Sequence, residues 1–197
     1  MKGAGASLFW AGRSPLALAS ASPRRVALLR QVGLAFTVVD PGPDRPWPAS
    51  AEARHGVRAL ALEKARRVGA RHPGSVVVGA DTVVVVRGRR LGKPQDRDEA
   101  LEMLRLLHGR THEVWTGLAV YHQGERRTAT ECTRVQLLRL EREELEAYVA
   151  TGEPLGKAGA YAIQGLAAQF VKRIDGDYSN VVGLPLARLR QVLQEFA

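Results

Sequence analysis

The spacing of apolar residues changes repeatedly along the chain, and each change marks an element. Leu16 to Ser20 is short and apolar, the pattern of a buried strand. Ser22 then supplies an N-cap and Pro23 the first helical position. Val26, Leu28, Leu29 and Val32 recur at helical spacing until Gly33 closes the run. Phe36 to Val39 reads as a second strand. Asp40 to Pro48 holds Pro41, Pro43, Pro46 and Pro48, which forbid regular structure, so this segment is an irregular loop. Val57, Leu60, Ala61, Lys64, Ala65 and Val68 keep close to the helical period and predict a long helix from about Ser50 to Arg71.

Val76 to Val78 forms another strand, ending at Gly79-Ala80-Asp81-Thr82, and Val83 to Val86 continues extended. Arg87-Gly88-Arg89 has the character of a hairpin turn. Asp96 and Glu99 form an Asp-x-x-Glu helix start, the helix runs through Leu107, and Gly109 lies beyond its end. Two long strands follow, Glu113 to Tyr121 and Arg126 to Leu138, joined at Gly124, and then a helix from Glu141 to Ala150 that stops at Thr151-Gly152. The remainder reads as loop, a strand from Phe170 to Ile174, loop, and a last helix entered at Pro185. Alternating strands and helices, then an antiparallel hairpin, predict an α/β domain with a mixed sheet. No composition shift marks an internal boundary. Residues 1–14 read as a poorly specified extension and 15–197 as one domain.

Composition narrows the class. The chain has 197 residues, 45% hydrophobic and 25% charged, enough for a sizeable core and unlike a disordered chain. The net charge is +9, and 24 of the 29 basic residues are arginine. A basic surplus favours anionic partners, and arginine suits bidentate phosphate recognition, although here the charges are spread along the whole chain. With no clustered basic stripe and only 6% aromatic residues for base stacking, a stable nucleic-acid complex is not expected. The single cysteine, Cys132, excludes an intramolecular disulfide and a cysteine zinc cluster, and reads as a strand residue. No apolar run approaches the ~20 residues that cross a bilayer. Lys2, Leu8-Phe9-Trp10 and the small residues up to Ala21 loosely imitate a secretory leader, but Arg13 and Pro15 interrupt them, so a cytoplasmic location is expected.

Four clusters carry candidate chemistry, all at strand ends or in loops. Ser20-Ala21-Ser22-Pro23-Arg24-Arg25 is a strand-to-helix turn whose free N–H groups and helix dipole favour anions. The same residues also suit a plain capped helix with solvent-facing arginines. In Gly79-Ala80-Asp81-Thr82 a carboxylate follows a run of valines, where burial is costly unless a cation or hydrogen bonds compensate. It suits a metal ligand, a base toward water, or a turn cap. Gly92-Lys93-Pro94 offers a point charge for phosphate but is not a P-loop. The fourth runs from Lys157-Ala158-Gly159-Ala160-Tyr161-Ala162-Ile163-Gln164-Gly165 to Gly176-Asp177-Tyr178-Ser179-Asn180, two glycine-rich loops in which the Gln164 amide can pair with a base edge. His55, His72, His108, His112 and His122 show no metal-ligand spacing and read as structural or surface residues. Ser20 and Ser22 lack a His–Asp arrangement for a triad.

On these residues the chain resembles the Maf family of nucleotide pyrophosphatases. The likeness is carried by Leu18 to Arg25, Glu63-Lys64-Ala65, Gly79 to Val84, Gly92-Lys93-Pro94, Gly109-Arg110-Thr111-His112-Glu113-Val114-Trp115-Thr116-Gly117, Tyr161 to Gly165 and Gly176 to Pro185. Each segment is modest; their shared order from about residue 16 to the C-terminus is specific. The resemblance implies a mixed twisted α/β sheet flanked by helices, in two lobes around a deep cleft and related to the inosine triphosphate pyrophosphatases. It also implies a homodimer and a divalent cation, Mg²⁺ or Mn²⁺, used to hydrolyse a nucleoside triphosphate between its α and β phosphates. Asp81 then takes the role of catalytic carboxylate, and Ser20, Arg24, Arg25, Lys64 and Lys93 surround the triphosphate. Arg24, Thr82 and Gln164 match the branch acting on dTTP and UTP; the 7-methyl-GTP branch carries other residues there. The family has an acidic residue, often glutamate, in the loop after the second strand. Asp44 is the nearest candidate here and would join Asp81 at the metal. The alternative class is a basic protein that binds nucleotides or nucleic acid without catalysis.

Overall fold

The computed structural model describes residues 10, 12, 14–43, 45 and 52–196. In chain order the elements are β1 (Leu16–Ala19), α1 (Pro23–Gln31), β2 (Phe36–Val39), α2 (Ala53–Arg71), β3 (Val76–Val86) and β4 (Arg89–Leu91). There follow α3 (Arg97–Leu107), β5 (Thr111–His122), β6 (Glu125–Leu137), α4 (Arg142–Ala150), β7 (Val171–Asp175), α5 (Tyr178–Val182) and α6 (Leu186–Gln194). One seven-stranded sheet has the order β2-β1-β3-β5-β6-β7, with β4 paired to β3. β1 is parallel to both β2 and β3, whereas β4 and β7 run antiparallel to their partners, so the sheet is mixed as the sequence predicts.

The chain falls into two compact units. One comprises Met1–Asp81, Thr116–Glu131 and Gly183–Ala197; the other comprises Thr82–Trp115 and Cys132–Val182. In the first unit, β1 is wholly buried, and α2 buries the stripe Gly56, Val57, Leu60, Ala61, Lys64, Ala65, Val68 and Gly69. Ala17, Ala19, Ala61, Ala65, Val68, Val77 and Ala119 form one continuous core. The helix approaches the strands at glycines. A side chain at Gly79 would run into the Ala61 carbonyl oxygen, and one at Gly117 into the Val57 backbone. Small residues on both surfaces therefore fix the height of α2 above β3, and with it the height of Lys64.

In the second unit, α3 buries Ala100, Met103, Leu104 and Leu107, and α4 buries Leu145, Tyr148 and Val149. The Asp-x-x-Glu start of α3 is a reciprocal cap. The Asp96 carboxylate accepts from Glu99 N–H at 2.8 Å, and the Glu99 carboxylate from Gln95 N–H at 2.7 Å. The β3–β4 hairpin turns at Arg87 and Gly88, with φ of 49° and 74°; the doubly left-handed turn matches the twist of the flanking strands.

One expectation fails. Gly176-Asp177-Tyr178-Ser179-Asn180 reads as a loop in sequence, yet Tyr178–Val182 is helical. Asp177 opens that turn by accepting from Ser179 N–H at 2.7 Å and Ser179 Oγ at 2.6 Å. Asn180, fully buried, donates to Val114 O and Thr133 Oγ1. The motif is thus a packed corner rather than a glycine-opened ligand loop. Among the described residues no helix is long and apolar enough to cross a membrane. Cys132 is half-buried in β6, the strand position expected for it.

Candidate active site

The first unit assembles five of the sequence-selected residues. Parallel pairing sets Ala19 of β1 opposite Gly79 of β3. The chain leaves β1 at Ser20 beside Ala80-Asp81 in the next strand, about 4.8 Å away across the ladder. Ser20 and the α1 turn therefore stand next to the Asp81 backbone at the carboxyl end of β1, where ligands gather in open α/β sheets.

Asp81 does not lie unpaired in the sheet. Lys64, one of the residues in the buried stripe of α2, donates from Nζ to Asp81 Oδ1 at 2.6 Å, and their side chains are 6% and 15% exposed. So dry a pair is held by geometry rather than by solvent, and removing either partner strands the other. A lysine on the apolar period of an otherwise buried helix is the sequence trace of this pairing.

The turn after β1 is held internally. Ser20 is buried, and its Oγ accepts from Ser22 N–H and from Arg25 Nη1, both at 3.2 Å. Arg25 Nε also donates to Gly183 O at 2.8 Å, tying the turn to the segment before α6. Arg25 thus braces the turn as well as lending it charge. Ser22 caps α1 in position but not with its side chain. No side-chain cap therefore competes with an anion at the first turn of α1, where the Val26 N–H is bonded to Ser22 O. Arg24 is half-buried, and among the described residues no hydrogen bond or ion pair engages its guanidinium. Burial pushes its pKa down from the usual arginine value without removing the charge at neutral pH. A partly desolvated arginine at a helix start without a side-chain cap has the chemistry of an anion site.

The second unit holds Thr82, Lys93 and Gln164. Thr82 follows Asp81 in β3 and is half-buried; Lys93 and Gln164 are exposed. Gly159 N–H donates to Gly92 O at 2.9 Å, so the Gly-Lys-Pro segment and the glycine-rich segment before Gln164 are joined. Gly159 has φ of 70° and sits against the Val84 side chain, which leaves no room for a Cβ. Asp44 lies outside the described residues.

One group, Glu153, escapes a sequence reading. Glu153 accepts from Leu166 N–H, Ala167 N–H and the Tyr148 hydroxyl, beneath the loop that carries Gln164. Burial raises its pKa, but those hydrogen bonds and the Lys157 charge outweigh it, so the net shift is downward. Its only sequence signal is an acid in a Thr-Gly-Glu-Pro turn. His112 is 1% exposed, and its Nε2 lies 2.8 Å from the Tyr161 hydroxyl with the rings edge to face. It is structural, as expected. Burial pushes its pKa from 6.5 down to about 4. Protonation thus favours the unfolded chain. The stability from the neutral ring is present above 6.5 and is lost as pH falls toward 4, on the order of 3 kcal/mol. Thermal melts across that window should show a steep acid decline in the native chain and a shallower one in His112→Gln.

Asp81 is expected at a strand end but lies in the middle of β3, which continues to Val86. A mixed α/β sheet carrying this mid-strand carboxylate, its counter-lysine and a helix start without a side-chain cap belongs to the class of phosphate-handling α/β proteins. The chain belongs to the Maf family, whose profile, described as Maf-like protein, matches residues 15–196. A relative from Pelotomaculum thermopropionicum is 50% identical over 92% of this chain and 96% of its own length, and is named dTTP/UTP pyrophosphatase. Relatives of the same name from Symbiobacterium thermophilum and Halalkalibacterium halodurans are 52% and 47% identical. They cover 92% and 91% of this chain and 93% and 95% of their own lengths. A solved dITP/XTP pyrophosphatase from Mycobacterium abscessus is 20% identical over 64% of this chain and 75% of its own, with a TM-score of 0.40.

Proposed function

We propose that this protein is a nucleoside triphosphate pyrophosphatase that hydrolyses dTTP and UTP to the monophosphate and pyrophosphate. The observation that carries the reading is the Lys64–Asp81 pair at 2.6 Å, next to the strand that delivers the Ser20–Arg25 turn. A carboxylate positioned by a buried lysine, beside N–H groups and an unengaged Arg24, supplies both a water-orienting base and a phosphate cradle. The relatives named dTTP/UTP pyrophosphatase, about half identical over nearly their whole length, support the substrate.

In this reading Asp81 accepts a hydrogen bond from a water and takes its proton as the oxygen attacks the α-phosphorus. Lys64 holds the carboxylate in place for that transfer. Arg24 and the α1 N–H groups bind the phosphate oxygens, and Arg25 keeps Ser20 and the turn in register. Lys93 adds positive charge against the departing pyrophosphate, and Thr82 and Gln164 select the pyrimidine. Charge balance and positioning are the main levers in phosphoryl chemistry.

The donor set fits a hard cation brought by the substrate. Among the described residues no group of three or more His, Cys, Asp or Glu could hold a metal. Magnesium is commonly bound through one or two carboxylates plus substrate phosphates. Asp81 would supply one carboxylate and Asp44 a second, for Mg²⁺ or Mn²⁺. When bound, the cation neutralises charge on the phosphates. The family resemblance further supports a homodimer. Cytoplasmic residence suits a lone thiol and the triphosphate pool.

The test is a panel of triphosphates with Mg²⁺, assayed for pyrophosphate. Turnover of dTTP and UTP well above the purine triphosphates is expected. Orthophosphate release, or nucleotide binding without turnover, would refute the reading.

A further inference from the structure

The loop that presents Gln164 is held at both ends by one buried-side pair, Tyr148 and Glu153. Ala162 N–H donates to the Tyr148 hydroxyl at 3.3 Å, and that hydroxyl donates to Glu153 Oε1 at 2.9 Å. Past Gln164, Leu166 N–H donates to Glu153 Oε2 at 3.0 Å and Ala167 N–H to Oε1 at 3.3 Å. Between these anchors the turn closes on itself, with Gly165 N–H donating to Ala162 O at 2.9 Å. Ala162, Ile163 and Ala167 are buried, whereas Gln164 is exposed. A side chain at Gly165 would occupy the place of the Glu153 carboxylate, so the glycine is there to admit it. Tyr148 is itself fixed, buried in α4 and edge to face with Phe170. Thr151 Oγ1 accepts from Glu153 N–H at 3.1 Å and so sets the approach of the acid.

We propose that Glu153, acting through Tyr148 and the loop amides, is a positioning residue that sets the aim of Gln164 and thereby the base selectivity of the enzyme. The inference rests on Gln164 reading the base. A carboxylate that accepts three donors cannot be matched by an amide of the same shape. In Glu153→Gln one side-chain oxygen becomes an NH₂ that faces backbone N–H, so the loop loses anchors while packing volume is kept. Tyr148→Phe removes the anchor at Ala162 and the hydroxyl bond to Glu153, and leaves the Leu166 and Ala167 bonds to Glu153 in place.

The test measures kcat and KM for UTP and for a purine triphosphate in Glu153→Gln, Tyr148→Phe, Gln164→Ala and the Glu153→Gln/Gln164→Ala double variant. For Glu153→Gln we expect KM for UTP to rise about tenfold with kcat within about twofold, and the pyrimidine preference to fall. Tyr148→Phe should move the same way by less, and it carries the test should Glu153→Gln fail to fold. The double variant should be no less selective than Gln164→Ala alone, because both changes act through one side chain. If Gln164→Ala loses selectivity while Glu153→Gln and Tyr148→Phe keep it, the positioning role is overturned and the reading of Gln164 stands. Selectivity unchanged in all of them overturns both. Additive losses in the double variant would assign Glu153 a general structural role and also overturn the proposal.

Discussion

Replacement of Asp81 by asparagine is expected to lower turnover of dTTP by about 10³-fold or more, the range seen when a base or a key electrostatic group is lost. The fold should survive. Asparagine is the same size, and its Oδ1 still accepts from Lys64 Nζ, so the 2.6 Å contact keeps a hydrogen bond while losing its charge attraction. The loss should fall on kcat rather than on KM. In the proposed mechanism the triphosphate is gripped chiefly by the α1 turn and Arg24, and the carboxylate acts on the water. Steady-state kinetics on folded protein, checked by circular dichroism, decides this. Near-normal turnover in Asp81→Asn would remove the carboxylate from the mechanism.

The second large effect is on stability. Lys64→Met should lower the unfolding free energy by about 3 kcal/mol, because it leaves the Asp81 carboxylate, 15% exposed, without its buried ammonium. For a chain of this length that corresponds to a drop in Tm of roughly 6–12 °C. Adding Asp81→Asn to Lys64→Met should recover part of it, since the stranded charge is then gone. Thermal melts of the two single variants and the double variant at pH 7 measure the coupling. Equal melting temperatures for the native chain and Lys64→Met would show that the pair carries no weight.

Much of this was legible in the residues because the physics is local. Three valines from Val76 and four up to Val86 read as extended, and both runs lie in β3, which passes through Asp81 without ending there. The 3.6-residue stripe of α2 is read directly and includes Lys64, whose pairing with Asp81 only the structure shows. What escaped depends on distant contacts. Arg25 reads as an anion-binding arginine at a helix start, and its bond to Gly183, 158 residues away, has no local signal. Glu153 looks like any acid in a turn until Leu166 and Ala167 fold back onto it. α5 (Tyr178–Val182) has no signal in the sequence because Gly176 and Asp177 are loop formers. The helix forms there because Asp177 caps it and Asn180 is anchored to Val114 and Thr133. In each case tertiary packing overrode a local preference.

In the proposed mechanism Asp81 delivers water to the α-phosphorus. Hydrolysis of dTTP in water enriched in heavy oxygen reads this out in one mass spectrum. The account predicts one heavy oxygen in thymidine monophosphate and unlabelled pyrophosphate. Heavy oxygen in the pyrophosphate, or orthophosphate as the product, would contradict it.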